Sequence, residues 1–483
     1  MSRTSAIVGT LIVYKLVMIA VGLIANRMSR DEGDYFLGGR RLGPGVAALS
    51  ASASSSSVWT LIGVSGYAYA SGLAAIWLLP ACVGGFALNW YVLAPALRRI
   101  AAEREAITVT ELLAGPPGTP RRRAVVVAAS LIILVSLLTY VAAQFQGAGK
   151  AFAETFDMGF ESALLLGAGI VVFYTLLGGF WAVSLTDTIQ GLMMAAAAIL
   201  LPAVAVADGG LAGIGASLVP PGVGVWAAAT KGLAPSAGVG LVLGLLGIGL
   251  GYPGQPHVVN RFMAMRDAEG VVVGRRIAMT WAVVLYTGMI TLGWAARVLL
   301  PELDHGEDAF VASTERLLPP VLAGIMVAAV LSAIMSTADS QLLVAASTVS
   351  HDLLGGAGEP RPGHADTDPK RALRRSRGTV LLLSLGAVGV ALTVDESIFS
   401  SVLFAWTAMG SAFGPVLLVS VLRARPPSGW VLAAMLLGFG LSVAAHLIPA
   451  AKGGALERVL PFVVALVISV VGVARAERAT PAM

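Results

Sequence analysis

Charge is what this sequence has least of. Only 12% of its 483 residues are Asp, Glu, Lys or Arg, about half the ~25% of a soluble globular domain. Cysteine is nearly absent too: Cys82 stands alone, which excludes an intrachain disulfide and a cysteine metal cluster. The five histidines, His257, His305, His351, His364 and His446, are scattered without metal-ligand spacing. A phosphate loop is also missing. Its nearest approach, Gly147-Ala148-Gly149-Lys150, has Gln144 where G-x-x-x-x-G-K requires glycine, which argues against an ATP-driven pump. No arrangement of residues implies covalent chemistry, so neither enzymatic activity nor an organic cofactor is expected.

What fills the chain instead is apolar sequence. Hydrophobic residues make up 57% of it, in stretches of about 20 residues, each long enough to cross a bilayer core about 30 Å thick. Thirteen candidate spans follow: roughly 5–25, 45–72, 75–98, 124–150, 160–179, 187–207, 232–254, 274–298, 318–350, 377–395, 399–421, 428–448 and 457–474. The pattern predicts an all-α polytopic membrane protein with the lipid bilayer as its surroundings. The first stretch has no clear small-residue cleavage site and reads as a helix rather than a signal peptide. Lys15 lies at its middle, a charge that nothing in the neighbouring sequence explains.

An odd number of spans puts the termini on opposite sides. Of the 32 Lys and Arg residues, 24 fall in or beside the loops after spans 1, 3, 7, 9 and 11 and in the C-terminal tail. By the positive-inside rule those loops are cytoplasmic, the N-terminus is outside and the C-terminus is inside, in a plasma membrane. The net charge of +5 therefore reports orientation and not affinity for nucleic acid. The outward loop from 299 to 317 is acidic, with Glu302, Asp304, Glu307, Asp308 and Glu315. No loop is long enough for a separate folded domain. The longest polar one, His351 to Arg377, reads as a flexible cytoplasmic connector rich in Pro, Gly and charge.

Polar residues inside spans are costly and point to function. Residues 51–59, "ASASSSSVW", carry five serines, and residues 331–343, "LSAIMSTADSQLL", carry Ser332, Ser336, Thr337, Asp339, Ser340 and Gln341. On a helix Ser336 and Ser340 share a face. Such a surface offers hydroxyl oxygens with a carboxylate near by, a donor set suited to a hard cation. Small residues also pack helices closely, so part of this pattern has a packing explanation. A third segment, "LGLLGIGLGYPGQPH" (243–257), is crowded with Gly and Pro. It reads either as close packing with a turn at the membrane edge or as an unwound helix lining a cavity. Interrupted helices five spans apart would mark a transporter site between inverted repeats, here spans 2–6 and 7–11.

These segments resemble the sodium:solute symporter family, and within it the sodium/proline symporter branch. The likeness is carried by "DYFLGGRRLGPGVAALSASAS" (34–54), "GYAYASG" (66–72), "LLGGFWAVSLTDTIQ" (176–190), "GYPGQPHVVNRFMA" (251–264), "LSAIMSTADSQLLVAAS" (331–347) and "FAWTAMGSAFGP" (404–415), in the family's order. The resemblance implies a five-plus-five inverted-repeat core with one helix before it and two after. The chain would then divide into residues 1–44, a first repeat 45–210, a second repeat 211–422, and a C-terminal part 423–483. Carried over by position, sodium would meet the carbonyls of Ala53, Ser56 and Ala333 and the side chains of Ser336 and Thr337. A second sodium, which some members bind, would lie near Asp187, Ser336, Asp339 and Ser340. The solute site maps onto Ser55, Ser57, Trp59, Tyr140, Ile248, Tyr252 and Pro256. Two of these depart from the branch, which has aspartate where this chain has Ser55 and tryptophan where it has Ile248.

The function these residues imply is sodium-coupled uptake of a small organic solute, proline or a related amino acid or carboxylate, by alternating access. Sodium is the expected coupling ion, and neither nucleic acid nor an obligatory protein partner is implied. Two alternatives stand beside it: the same transporter driven by protons, with Asp187 or Asp339 titrating, and a transporter-like solute sensor.

Overall fold

The computed structural model describes residues 3–26, 37–176, 179–355, 357, 369–394 and 396–479. Much of the expected 351–377 connector lies outside the described residues, as do parts of the 34–54 and 176–190 segments. Among the described residues the chain is helical, with one isolated bridge between Leu42 and Met265 in place of any sheet.

Among the described residues, eleven helical stretches are long and apolar enough to cross a membrane. One of them, Pro44–Glu103, runs for 60 residues and holds two of the expected spans. They part at Gly72, whose φ of +57° is open to glycine at little cost. The shorter apolar helix Phe160–Thr175 supplies one more. Each of the thirteen expected spans thus has a helical counterpart.

Those that matter for the site are α1 (Arg3–Asn26), α2 (Pro44–Val58), α3 (Ser65–Ser71), α4 (Arg122–Phe156), α5 (Phe160–Thr175), α6 (Phe180–Gly209), α7 (Pro235–Leu246), α8 (Pro256–Met263), α9 (Ala268–Leu299), α10 (Pro320–Ser347) and α11 (Ile398–Leu422). Of the long spanning helices, α10 and α11 are the most enclosed and α1 is the least. Their sequences explain this. α11 is apolar all round, as a fully surrounded helix must be, while α1 turns Ile12, Val13, Leu16 and Ile24 outward. Helix α2 packs against α6, α9 and α10.

Two helices are broken, each where the sequence is least helical. In α2 the break is at Ser57, with φ 23° and ψ −179°. Such a backbone costs on the order of 1–3 kcal/mol and frees N–H groups that hydrocarbon cannot satisfy. Side chains supply them: Val58 N–H donates to Gln144 Oε1 at 3.2 Å, and Trp59 N–H to Ser57 Oγ at 3.1 Å. Beyond α7 the chain tightens into a 3₁₀ segment, Gly247–Gly254, and Gln255 is extended before α8 resumes at Pro256. The Gln255 amide donates to the carbonyls of Gly251 and Trp406, both at 2.9 Å. Close packing operates here as well. A Cβ on Gly251 would lie 2.1 Å from the Trp406 ring and one on Gly249 2.4 Å from the Ala81 carbonyl.

Two boundaries differ from the sequence reading. The sixth span was expected to begin at 187, but α6 begins at Phe180, so Asp187 lies two turns inside and fully buried. Phe180, Trp181, Ala182 and Val183 bury their side chains and extend the helix back to the extended Gly179. The segment after span 7 is likewise not a turn at the membrane edge. Helix α8 is buried along its whole length, Arg261 included.

Candidate functional site: a broken helix lashed across the core

The break in α2 faces the middle of α10. Ser336 Oγ donates to the carbonyls of Ala53 and Ala333, each at 3.3 Å. Thr337 Oγ1 donates to the carbonyl of Ser54 at 2.9 Å. Two hydroxyls and three carbonyls therefore converge where the chain has left the helix. Oxygen donors of this kind suit a hard cation, and here they come from two helices that a bound ion would join. The sequence reading named Ala53, Ala333, Ser336 and Thr337, and the structure brings them together. Ser56 sits differently: its carbonyl accepts from Trp59 N–H, and its hydroxyl accepts from Trp281 Nε1 at 3.0 Å. The Ser54 carbonyl, which the sequence reading did not name, is the one opposite Thr337.

Next along the chain from this lattice, beginning at Ser55, is a cavity of about 10 Å³ lined by Ser55, Trp59, Tyr140, Ile248, Tyr252, Val402, Leu403 and Trp406. That is room for roughly one water. Five of the seven expected solute residues line it. Ser57 stands just outside, receiving the Tyr140 hydroxyl at 3.4 Å, and Pro256 starts α8. No wall residue carries a formal charge. Trp406 was not foreseen. It packs edge-on against Tyr252, with centroids 4.7 Å apart, and donates its Nε1 to the Ile248 carbonyl at 3.3 Å. Ile248 and this indole from α11 stand side by side in the wall.

An aromatic lid covers the cavity. Phe399 stacks on Tyr67, with centroids 4.6 Å apart, and leans on Trp59 at 5.6 Å. Beyond the lid opens a vestibule of about 690 Å³ whose lining includes Tyr67, Phe399, Lys150, Glu307 and Glu396. Glu307 holds the lid in place. One carboxylate oxygen accepts from Phe399 N–H at 3.0 Å and the other from Lys150 Nζ at 2.5 Å. Gly66 permits this closure, because a Cβ there would meet the Glu307 backbone at 2.8 Å.

On the other side of the break lies a second polar cluster. Asp187 Oδ2 accepts from Ser50 Oγ at 2.6 Å and pairs with Arg261 at 3.2 Å. The same guanidinium reaches Ser340 Oγ, Ser50 Oγ and the His257 carbonyl. Asp339 points elsewhere, accepting from Thr175 Oγ1. Of the four residues offered for a second sodium, Arg261 links Asp187 to Ser340, Asp339 belongs to a different contact, and Ser336 belongs to the first lattice. Arg261 itself escaped the sequence reading. The available signal was a lone arginine in "GYPGQPHVVNRFMA", one short helix after a Gly/Pro break.

The sodium:solute symporter family model matches residues 35–438. The sodium/proline symporter of Escherichia coli (strain K12) is 34% identical over 447 residues, covering 91% of this chain and 87% of that protein. The osmoregulated proline transporter OpuE of Bacillus subtilis (strain 168) is 35% identical over 435 residues, covering 88% and 86%. Among solved structures, a Na+-coupled sialic acid symporter in a substrate-bound outward-open state superposes with a TM-score of 0.77 at 18% identity, covering 96% of this chain and 97% of that one. Mhp1, a nucleobase-cation-symport-1 family transporter, superposes in a closed conformation with a TM-score of 0.57 at 14% identity, covering 94% and 97%. The architecture is the five-plus-five inverted-repeat core of such symporters. On the family match and the extent of identity, this chain belongs to the sodium:solute symporter family.

Proposed function

We propose that the chain takes up proline or a closely related small amino acid together with sodium, by alternating access across a plasma membrane. The N-terminus is outside and the C-terminus cytoplasmic, with repeats over 45–210 and 211–422 flanked by 1–44 and 423–483. The observation that carries the reading is the lattice between Ser336, Thr337 and the carbonyls of Ala53 and Ser54 at the foot of an enclosed aromatic cavity. Sodium held there joins α2 to α10 and fixes the α2 segment that bears Ser55 and Trp59. The aromatic walls suit a small apolar ring, and proline is the solute that the relatives' names carry. The cavity must widen to admit it, which requires Phe399 to leave Tyr67 and Trp59. Moving one charge through about 100 mV supplies about 2.3 kcal/mol, or roughly 40-fold accumulation at about 1.4 kcal/mol per decade. Proteoliposome uptake of labelled proline with and without an inward sodium gradient tests the reading. Uptake indifferent to sodium would sink it, whereas sodium-driven uptake of a different solute would correct only the substrate.

A further inference from the structure

Lys15 has no part in the site described so far. Its Nζ meets the Met335 thioether at 2.6 Å, and the rings of Tyr14 and Tyr174 lie 5.6 and 6.0 Å from it. A thioether is a weak acceptor, so this ammonium is poorly provided for. Asp339 lies one helical turn beyond Met335 on the same face of α10. Its Oδ1 accepts from Thr175, the neighbour of Tyr174, while its Oδ2 has no hydrogen-bond partner among the described residues. Among the described residues neither group makes an ion pair within 4 Å, and each lacks what the other could supply.

The charge count around them is also informative. Asp187 and Asp339 are the carboxylates that a second sodium would need, and two fixed cations lie near them. Arg261 is on Asp187 and Ser340, and Lys15 is one turn from Asp339. With both carboxylates ionised, these two cations already balance them, and a second sodium would add a net charge that low dielectric strongly opposes. The donor set therefore does not fit a second ion.

We propose that Lys15 is the tethered counter-ion of Asp339 and that, together with Arg261, it takes the place of a second sodium. The inference rests on the sodium-coupled reading above and deepens it. The test is equilibrium binding of radioactive sodium to purified full-length protein in lipid nanodiscs with saturating proline. Wild type is expected to bind one sodium per chain with a Hill coefficient of 1, and Lys15→Arg to do the same. Lys15→Met exposes Asp339 and is expected to bind a second sodium, while Lys15→Met/Asp339→Asn returns to one. Two sodiums on wild type, or Lys15→Met remaining at one, would overturn the proposal. Thermal unfolding without sodium provides an independent arm. Lys15→Met and Asp339→Asn should each lower the melting temperature, and the double variant should recover part of the loss; additive losses count against the pair. If wild type binds no sodium at all, the coupling reading fails, and the sodium-free arm still decides whether the pair exists.

Discussion

Removing one hydroxyl from α10 gives the sharpest test of the proposed ion site. In Thr337→Ala the sodium-loaded state loses an oxygen donor to a charged group, worth about 1.5–3 kcal/mol. The sodium-free state loses something too, because Thr337 Oγ1 holds the Ser54 carbonyl at 2.9 Å in a bond worth about 1 kcal/mol. Only the difference appears in the apparent sodium affinity. That difference is about 0.5–2 kcal/mol, or roughly 2- to 30-fold at about 1.4 kcal/mol per decade. Ser336 is bonded more loosely, at 3.3 Å to each of two carbonyls, so its sodium-free state loses less. Ser336→Ala should therefore shift the sodium half-saturation at least as far as Thr337→Ala does. Thr337→Ser keeps the hydroxyl and should stay near wild type.

The assay is initial uptake rate against sodium concentration in proteoliposomes at fixed solute, repeated at several solute concentrations. Linkage requires that the variants' apparent solute affinity falls at low sodium and recovers at high sodium. Trp59→Ala serves as the contrast: it should raise the solute KM with a smaller effect on sodium. If both alanine variants kept the wild-type sodium half-saturation while remaining folded, or if Trp59→Ala shifted it equally, the assignment of Ser336 and Thr337 would be wrong.

Glu307→Gln should weaken the clasp on Lys150 and the Phe399 amide; losing about 1 kcal/mol would raise the lid-open population roughly fivefold at about 1.4 kcal/mol per decade. Thiol-labelling rates from outside at Leu403→Cys, in a Cys82→Ser background, would report it, and an unchanged rate would remove Glu307 from the lid. Arg261→Gln strands the Asp187 carboxylate, a loss of about 3–5 kcal/mol for a broken buried pair. Thermal unfolding should show it, with substantial rescue in Arg261→Gln/Asp187→Asn. Gly251→Ala drives a methyl group into Trp406 and should cost about 1–3 kcal/mol along with most transport. Gly240→Ala, where an added Cβ meets nothing within 4 Å, should be neutral in the same stability and uptake measurements.

The spans were legible because hydrocarbon thickness imposes a length on apolar runs, and that length is visible without any partner. The break in α2 was legible for a related reason: a serine cluster is conspicuous where lipid demands a helix. Its repair was not. Gln144 and Trp281 reach the break from α4 and α9, and nothing local announces either of them. The start of α6 was misread because hydropathy discounts a segment that nears a charge, so Asp187 looked like an edge and not an interior residue. The Gly/Pro segment after α7 offered packing and unwinding as alternatives, and it does both, since the unwound backbone is what brings its glycines against Trp406 and Ala81. Arg261 and Lys15 were the least legible. A buried charge is explained by its counter-charge, and the one found for Arg261 and the one proposed for Lys15 sit on helices distant in the sequence.

The lattice also suggests why sodium and solute depend on each other. In this state Ser336 and Thr337 donate their protons to carbonyls of the broken helix, so α2 and α10 are already tied by neutral hydrogen bonds. On the proposed assignment, an arriving cation would turn those hydroxyl protons away and place itself among the same oxygens, replacing one tie with a stronger one. What changes is how firmly residues 53–57 are held. Ser57 stands at the end of that segment in a strained conformation, bonded to Tyr140 and to the Trp59 amide. Holding the segment still therefore holds two walls of the solute cavity still. The solute then no longer bears the entropy cost of ordering its own site, which makes the two bindings cooperative. Coupling of this kind requires the strain at Ser57, because a continuous helix would fix Trp59 whether or not sodium were bound.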